Sequence, residues 1–265
     1  MDFRTPVTIT EPSFRIEPLE QILFVGSCFA DNIGQRFVEN KFRATVNPYG
    51  VMYNPVSILH TVMRTSGTFP VAFFTLGTNH VYRLKETGEI VDNCEKRPHH
   101  LFQEETLTVS QCADYLRQAI ELLQSRHADV EVVLTVSPIR YRKYGYHGSQ
   151  LSKATLLLAA DEVAKMPHVH YFPAYEIVND ELRDYRFYAA DMLHPSEQAV
   201  DYIWERLCET YLSDRARQFL SEWQPIRLAL GHKPFAPESE TYRTFMDKTM
   251  LKVEELRKKY GNFAL

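Results

Sequence analysis

The residue best placed for covalent chemistry is Ser27, which follows a short apolar run and opens a helical pattern. Residues 22–25 are rich in strand formers, Gly26 ends the run, and apolar residues recur at every fourth position from Phe29. A hydroxyl at a strand–helix junction lies against unpaired backbone N–H groups and the positive end of the helix dipole, which stabilise developing negative charge. Serine is also a frequent helix N-cap, so this segment alone leaves two interpretations of Ser27, a nucleophile or a cap.

A second segment, Asp191-Met-Leu-His194, supplies an acid and an imidazole on one turn. The carboxylate of such a pair can fix the imidazole tautomer and stabilise the imidazolium, which indicates a general base and its orienting group. A plain turn with a capping histidine is the alternative. Cys28 adjoins Ser27 and is intrinsically more nucleophilic, but a helix turns by about 100° per residue, which favours a packed thiol at that position.

Short apolar runs alternate with amphipathic helical patterns along the chain. This alternation predicts a mostly parallel sheet covered by helices on both faces. Sites in such sheets form at the carboxyl ends of strands, where Ser27 falls. The predicted strands are residues 22–25, 71–76, 130–136 and 169–172, and the predicted helices are residues 28–41, 108–125, 152–166 and 196–212. Two further amphipathic helices, at residues 215–230 and 238–260, predict an extension that packs on the domain or on a partner subunit.

The order of these parts, a nucleophile near the start and an Asp-x-x-His before the last core helix, resembles that of the SGNH/GDSL hydrolases. Longer segments resemble those of the GSCFA family, which is related to these hydrolases. The similarity covers about residues 20–210 and leaves out the C-terminal extension. The matching segments are residues 24–34, 47–57, 76–82, 134–140, 147–155 and 185–195.

The resemblance implies a three-layer α/β/α domain over residues 1–212 and a helical extension over residues 213–265. It also implies a serine esterase, or an acyltransferase, that works through an acyl-serine intermediate without a metal or an organic cofactor. In that mechanism Ser27 attacks the ester, His194 takes the serine proton and Asp191 orients the imidazole ring.

An oxyanion hole is a further implication of the resemblance, built from the backbone N–H of Ser27, a glycine N–H and an asparagine side chain. Gly50 is the predicted glycine, because a residue without Cβ lets its backbone approach a ligand. Asn79 is the preferred asparagine, although His80 follows it where the hydrolases usually have aspartate. Asn54 is the alternative.

Arg140 and Tyr141 begin a basic and aromatic segment that follows a predicted strand. Guanidinium and aromatic faces suit an anionic or sugar substrate, and a solvated loop is the alternative. His80, beside the predicted Asn79, is a third candidate for substrate contact. By fold analogy, the relatives point to small acyl esters of a carbohydrate as the substrate.

Composition and spacing argue against several other classes of protein. A formal net charge of −4 disfavours broad nucleic-acid binding. The first residues lack the pattern of a secretion signal, and no apolar stretch approaches the roughly 20 residues of a membrane helix. With four irregularly spaced cysteines, these features lead us to expect a cytoplasmic protein with reduced thiols. The acidic, cysteine and histidine residues between Asp92 and His100 match no standard zinc spacing.

Two non-catalytic classes of function stay open from the sequence alone. One is a catalytically silent binding module that has the same fold. The other is a scaffold that forms a homo-oligomer through its charged C-terminal helices. The presence of Ser27, Asp191 and His194 together favours the enzyme.

Overall fold

Strands and helices alternate along most of the chain in the computed structural model, which describes residues 4–265. The strands are β1 (Gln21–Gly26), β2 (Arg43–Val46), β3 (Val71–Leu76), β4 (His80–Leu84), β5 (Ile90–Val91), β6 (Phe102–Thr106), β7 (Glu131–Val136) and β8 (Val169–Tyr171). The helices are α1 (Cys28–Glu39), α2 (Pro55–Arg64), α3 (Val109–Arg126), α4 (Gly145–Val163), α5 (Ala174–Glu176), α6 (Glu197–Tyr211), α7 (Asp214–Leu230) and α8 (Glu240–Tyr260).

Strands β2, β1, β3, β7 and β8 form one parallel sheet in that order, which confirms the predicted sheet. Gly26 at the end of β1 pairs with Thr75 of β3. Because parallel strands end at the same edge of a sheet, the residues that follow β1, β3 and β7 come together there. Those residues are Ser27, Gly77 and Ser137.

Alternate residues of each strand face different helices. Ile22 and Phe24 of β1 lie in one apolar core with α1 and α6, whereas Leu23 and Val25 lie in a second core with α2, α3 and α4. The sheet is therefore the middle layer of three, as predicted for an α/β/α fold.

A small antiparallel sheet, in the order β5-β4-β6, follows β3. The sequence does not predict this sheet. In β4 only Val81 is buried, and Gln103 and Glu104 of β6 are exposed, so neither strand has a strong apolar pattern.

Helix α4 begins at Gly145, well before its predicted start at Ser152. Most of its first residues are exposed and two are glycines, so they lack the apolar stripe by which a helix is recognised. A short 3-10 turn, Arg142–Tyr144, precedes the helix. The segment after Arg140 is thus a turn and a helix start.

The C-terminal helices α7 and α8 pack on the α/β domain. The indole N–H of buried Trp223 donates to the Glu39 carbonyl at the end of α1 over 2.9 Å, and Arg227 pairs with the Glu39 carboxylate at 3.1 Å. The core between these helices and the domain contains Leu19, Phe219, Trp223, Ile226, Val253, Leu256, Tyr260 and Phe263.

The predicted boundary after residue 212 falls between α6 and α7. A homo-oligomer formed through α7 and α8 stays a prediction. None of the helices within residues 4–265 combines the length and the apolar character needed to cross a membrane.

Candidate active site

Gly26 makes the sharp turn that joins β1 to α1. Its φ of 149° is in the range that favours glycine, and a Cβ atom at this position would lie 2.2 Å from the Thr75 carbonyl oxygen. The Gly26 N–H donates to Asn47 Oδ1 over 2.8 Å, which fixes the turn from the other side. Only glycine fits here, and the turn sets the position of Ser27.

Ser27 is the N-cap of α1, as one of its two interpretations predicts. Its Oγ accepts a hydrogen bond from the Phe29 N–H at 3.3 Å and lies 3.2 Å from Thr75 Oγ1. The Ser27 N–H donates to Thr75 Oγ1 over 2.9 Å and to the Thr75 carbonyl over 3.1 Å. The residue is buried, with 1% of its surface exposed. The cap role does not exclude the other interpretation, because Ser27 also lines a cavity.

A cavity of about 430 Å³ lies at the carboxyl edge of the parallel sheet and contains both Ser27 and His194. The fold thus brings together two stretches from opposite ends of the α/β domain. The residues that line the cavity are Ser27, Cys28, Tyr53, Gly77, Ser137, Ile139, Arg140, Tyr141, Arg142, Lys143, Lys153, Leu193 and His194. Three larger cavities among the described residues, of about 450, 590 and 900 Å³, contain none of the predicted site residues.

Asp191 holds His194 within the loop that precedes α6. Oδ2 of Asp191 lies 2.5 Å from His194 Nδ1, and Oδ1 accepts the backbone N–H groups of His194 at 3.0 Å and Leu193 at 2.8 Å. These hydrogen bonds keep the pKa of the Asp191 carboxyl well below its usual value. Because an ionised carboxylate only accepts hydrogen bonds, Nδ1 carries the proton and Nε2 is the basic nitrogen of the neutral ring.

Arg140 anchors this loop from the neighbouring wall of the cavity. Its backbone N–H donates to the Leu193 carbonyl over 2.9 Å, and its Nη1 donates to the Met192 carbonyl over 3.0 Å. The guanidinium also lies 4.2 Å from the ring centre of Tyr146. Arg140 therefore contributes both to the cavity wall and to the position of the His194 loop.

The hydroxyl of Ser27 and the ring of His194 line one cavity without a direct hydrogen bond. Among the residues that the structure describes, the partners of Ser27 Oγ are the Thr75 hydroxyl and the Phe29 N–H.

The structure does not bring the predicted Gly50 to this cavity. Gly50 is exposed, and its N–H donates to the Asn47 carbonyl over 2.8 Å, which closes a turn after β2. The Ser27 N–H, which is also a predicted oxyanion donor, is engaged as well, since it donates to Thr75. Local backbone pairing thus uses both N–H groups.

Neither of the two candidate asparagines lines the cavity. Asn79 is buried, and its Nδ2 donates to the Leu107 carbonyl over 2.7 Å, which ties the start of β4 to the end of β6. Asn54 is the N-cap of α2, and its Oδ1 accepts the Ser57 N–H at 3.0 Å. The Asn79 amide thus serves a nearby backbone carbonyl and Asn54 Oδ1 caps its own helix, and the predicted oxyanion hole stays a prediction.

Of the predicted substrate contacts, Arg140 and Tyr141 line the cavity and His80 does not. The His80 ring instead stacks on Tyr144 with 3.6 Å between ring centres, and burial lowers the pKa of His80. His80 therefore lies outside the cavity and packs against Tyr144, in the short turn that follows the cavity residue Tyr141.

Cys28 also lines the cavity, although its predicted role is that of a packed thiol. Its Sγ lies 3.7 Å from the Tyr53 hydroxyl. Burial, followed by the neighbouring Cys28, raises the pKa of Tyr53 to about 12, so this hydroxyl stays protonated at neutral pH. Ser27 and Cys28 thus both line the cavity.

Lys153 also lines the cavity, a position that the sequence does not predict, since no S-x-x-K spacing marks it as part of a serine–lysine site. It is 2% exposed, and its Nζ donates to the carbonyls of Gly77 over 2.8 Å and Ser137 over 2.7 Å. Burial lowers the pKa of Lys153 to about 7. The signal in the sequence is a lone basic residue within the small and apolar part of α4, and that pattern does not tell which way the side chain points.

No group of three or more histidine, cysteine, aspartate or glutamate side chains within the described part of the chain is arranged to hold a metal ion. The side chains that line the cavity include a hydroxyl, a thiol, an imidazole held by Asp191 and several cations.

Comparisons with known proteins give a family and distant structural likenesses. The model of the GSCFA family matches residues 21–70 and 67–207, and that of the GSCFA domain protein, C-terminal domain, matches residues 223–265. None of the curated protein sequences matches the chain.

The solved structures that resemble the chain share little sequence with it. A protein described as a GDSL-like lipase, from Parabacteroides merdae, is 14% identical, with a TM-score of 0.47 over 75% of this chain and 98% of that one. A mutant acetyl esterase with an acetate ion is 8% identical, with a TM-score of 0.44 over 77% and 99%. A carbohydrate esterase family 3 protein from Talaromyces cellulolyticus is 9% identical, with a TM-score of 0.41 over 77% and 99%. Similarity at this level does not establish a shared activity.

The family assignment rests on the sequence match, which spans most of the chain. The matched residues include Ser27, Asp191 and His194 and extend through most of α6. The protein therefore belongs to the GSCFA family.

Proposed function

We propose that this protein is a serine ester hydrolase in which Ser27 is the nucleophile, His194 the general base and Asp191 the group that orients it. The observation that carries the proposal is that the Ser27 side chain and the His194 ring line one cavity. The 2.5 Å contact between Asp191 and His194 Nδ1 adds to it, because it leaves Nε2 as the proton acceptor.

The reaction proceeds through two tetrahedral intermediates. Ser27 Oγ attacks the ester carbonyl carbon while its proton passes to His194 Nε2. The carbon–oxygen bond to the alcohol then breaks, and the leaving alcohol takes the proton from His194. Water attacks the acyl-serine in the same way and releases the acid. Attack by another hydroxyl instead of water gives acyl transfer through the same intermediate.

The proposal requires Ser27 Oγ to leave its contacts with Thr75 and Phe29. Rotation about one side-chain bond is enough to redirect a serine hydroxyl, and staggered rotamers interconvert readily. Catalytic hydrogen bonds are often loose until substrate is bound. The absence of a Ser27–His194 hydrogen bond is therefore compatible with this role.

For the substrate we propose a small acyl ester of a carbohydrate or of another polar small molecule. Two tyrosines, Tyr53 and Tyr141, and two arginines, Arg140 and Arg142, are among the residues that line the cavity. Sugars and anionic groups bind to such surfaces through stacking and charged hydrogen bonds. The volume of about 430 Å³ suits a small-molecule ligand.

The test of the nucleophile is active-site labelling with a fluorophosphonate probe, followed by mass mapping of the labelled peptide. The wild-type chain should be labelled at Ser27, and the Ser27→Ala variant should lose both labelling and aryl acetate hydrolysis. Cys28→Ala is the matched control, because it removes the adjacent nucleophile from the same cavity and should keep most of the turnover. An active Ser27→Ala variant with an inactive Cys28→Ala variant would transfer the role to the thiol.

The same experiment addresses the non-catalytic alternative. A folded wild-type chain that neither takes the probe nor hydrolyses aryl acetates would contradict the proposed enzyme and favour a binding module. Screening acetylated sugars for acid release then identifies the alcohol part of the substrate.

A further inference from the structure

Lys153 lies on the floor of the cavity, where it is held by the ends of two strands. It extends from α4 to the carbonyl oxygens of Gly77 and Ser137, the residues that directly follow β3 and β7. Gly77 is two residues beyond Thr75, whose hydroxyl is 3.2 Å from Ser27 Oγ. The ammonium group and the Ser27 hydroxyl are therefore both fixed to the end of β3 and open into one cavity.

One N–H of the Lys153 ammonium group has no acceptor among the described residues. A protonated lysine has three N–H donors, and within residues 4–265 its acceptors are the two carbonyls. No carboxylate of the described residues forms an ion pair with it. The third hydrogen is thus available to a ligand in the cavity.

Among the residues that the structure describes, no negative side chain near Lys153 accounts for a buried cation. The ionisable groups that line the cavity come from α1, from the segment before α2, from the turn after β7 and from the loop before α6. They are Cys28, Tyr53, Arg140, Tyr141, Arg142, Lys143 and His194. Burying an unpaired charge is unfavourable, and an apolar side chain would fill the same volume without that cost. A ligand that becomes negative during the reaction would supply the missing partner.

The predicted oxyanion donors leave this task open. The Ser27 N–H donates to Thr75, the Gly50 N–H donates to Asn47, and Asn79 and Asn54 lie outside the cavity. An enzyme that forms an acyl-serine needs a donor aimed at the oxygen on which charge develops.

We infer that Lys153 is a catalytic residue of the proposed ester hydrolase, and that its free N–H donates to the oxyanion of the tetrahedral intermediates. The inference rests on the proposed function. When the bond from Ser27 Oγ to the ester carbon forms, the carbonyl oxygen takes the electron pair and the serine proton goes to His194. Lys153 keeps its proton throughout. When the alcohol leaves, the oxygen regains its double bond and the ammonium loses this acceptor.

The first experiment replaces Lys153 by methionine, which keeps the length of the side chain and removes the charge. The Lys153→Met variant should lose about 10²- to 10³-fold in kcat on an aryl acetate with little change in KM, because the interaction is made only with the intermediate. Lys165→Met, at an exposed lysine paired with Asp161, is the matched control and should keep its kcat. A folded Lys153→Met variant with kcat within threefold of wild type would overturn the inference.

The second experiment needs only folded wild-type protein and the Lys153→Arg variant. Since the ammonium form is required and the pKa of Lys153 is lowered to about 7, wild-type kcat should fall as the pH rises through this value. Arginine stays charged, so any activity that Lys153→Arg retains should lack this alkaline limb. A wild-type kcat that is constant from about pH 7 to 10, or a limb that persists in Lys153→Arg, would contradict the role even if Lys153→Met fails to fold.

Failure of this inference can be told apart from failure of the proposed function. If the fluorophosphonate labels Ser27 and Ser27→Ala is inactive while Lys153→Met retains full kcat, the enzyme stands and the oxyanion donor is another group. If Ser27 is neither labelled nor needed, both proposals fall.

Discussion

Asp191 contacts His194 at two points, with Oδ2 2.5 Å from the ring Nδ1 and Oδ1 3.0 Å from the backbone N–H. One carboxylate therefore fixes both the ring and the backbone of the proposed base. Sequence spacing alone predicts that the two residues can face each other; the double contact depends on the loop that Arg140 holds in place.

We expect Asp191→Asn to lower kcat for an aryl acetate by about 10²- to 10⁴-fold, because an amide NH₂ facing Nδ1 favours the ring tautomer with the proton on Nε2. Asp180→Asn is the control, since Asp180 is exposed and pairs with Arg183 outside the cavity. Steady-state kinetics of both variants tests this expectation. Full activity in Asp191→Asn would remove Asp191 from the mechanism.

The hydroxyl of Thr75 stabilises the turn that carries Ser27, and its neighbour in the sheet offers an internal control. Thr75 Oγ1 accepts the Ser27 N–H at 2.9 Å, whereas the hydroxyl of Thr135, its register partner on β7, is buried without a partner among residues 4–265. Thr75→Val should lower the free energy of unfolding by about 1–2 kcal/mol, and Thr135→Val should leave it unchanged or raise it. Urea unfolding measures both, and equal effects would contradict this difference.

The buried Lys153 should make stability depend on pH. Its folded pKa of about 7 lies below the unfolded value of 10.5. Between these two values the unfolded chain binds more protons, so the free energy of unfolding of wild type should rise with pH. Relative to Lys153→Met, the rise should approach about 1.4 kcal/mol per pH unit within this window and level off outside it. Urea unfolding at several pH values tests the slope, and parallel curves for the two proteins would show that Lys153 titrates normally.

Trp223 should contribute to the stability of the fold and have no part in catalysis. Its side chain is 1% exposed, and no residue after His194 lines the cavity. Trp223→Ala should lower the free energy of unfolding by about 3–5 kcal/mol, with kcat unchanged where the variant is folded. Leu228→Ala, at an exposed position of the same helix, should change neither quantity. A lower kcat in folded Trp223→Ala would indicate that the packing of α7 against α1 affects the position of Ser27.

The sequence predicts the sheet and its flanking helices well, because runs such as residues 71–76 are buried on both faces and leave a clear apolar signal. It also predicts that Ser27 and His194 approach one another, because Ser27 follows β1 and His194 precedes α6 at the same edge of the sheet. Their catalytic roles stay predictions.

The sequence does not predict the hydrogen-bond partners at that edge. Whether the N–H of Gly50 faces a ligand or the Asn47 carbonyl depends on the turn geometry, which a glycine leaves open. The burial of Lys153 depends on how α4 rotates over the sheet, and an isolated basic residue in a helix is more often exposed.

The cavity is lined by residues from Ser27 to His194, a separation that spans most of the α/β domain. A nascent chain therefore has no complete pocket until the loop before α6 has packed beside the edge of the sheet, however early the first strand and helix form. Turnover would thus report on completed folding of the whole domain, and circular permutants or nicked chains could be ranked by it without any structural probe.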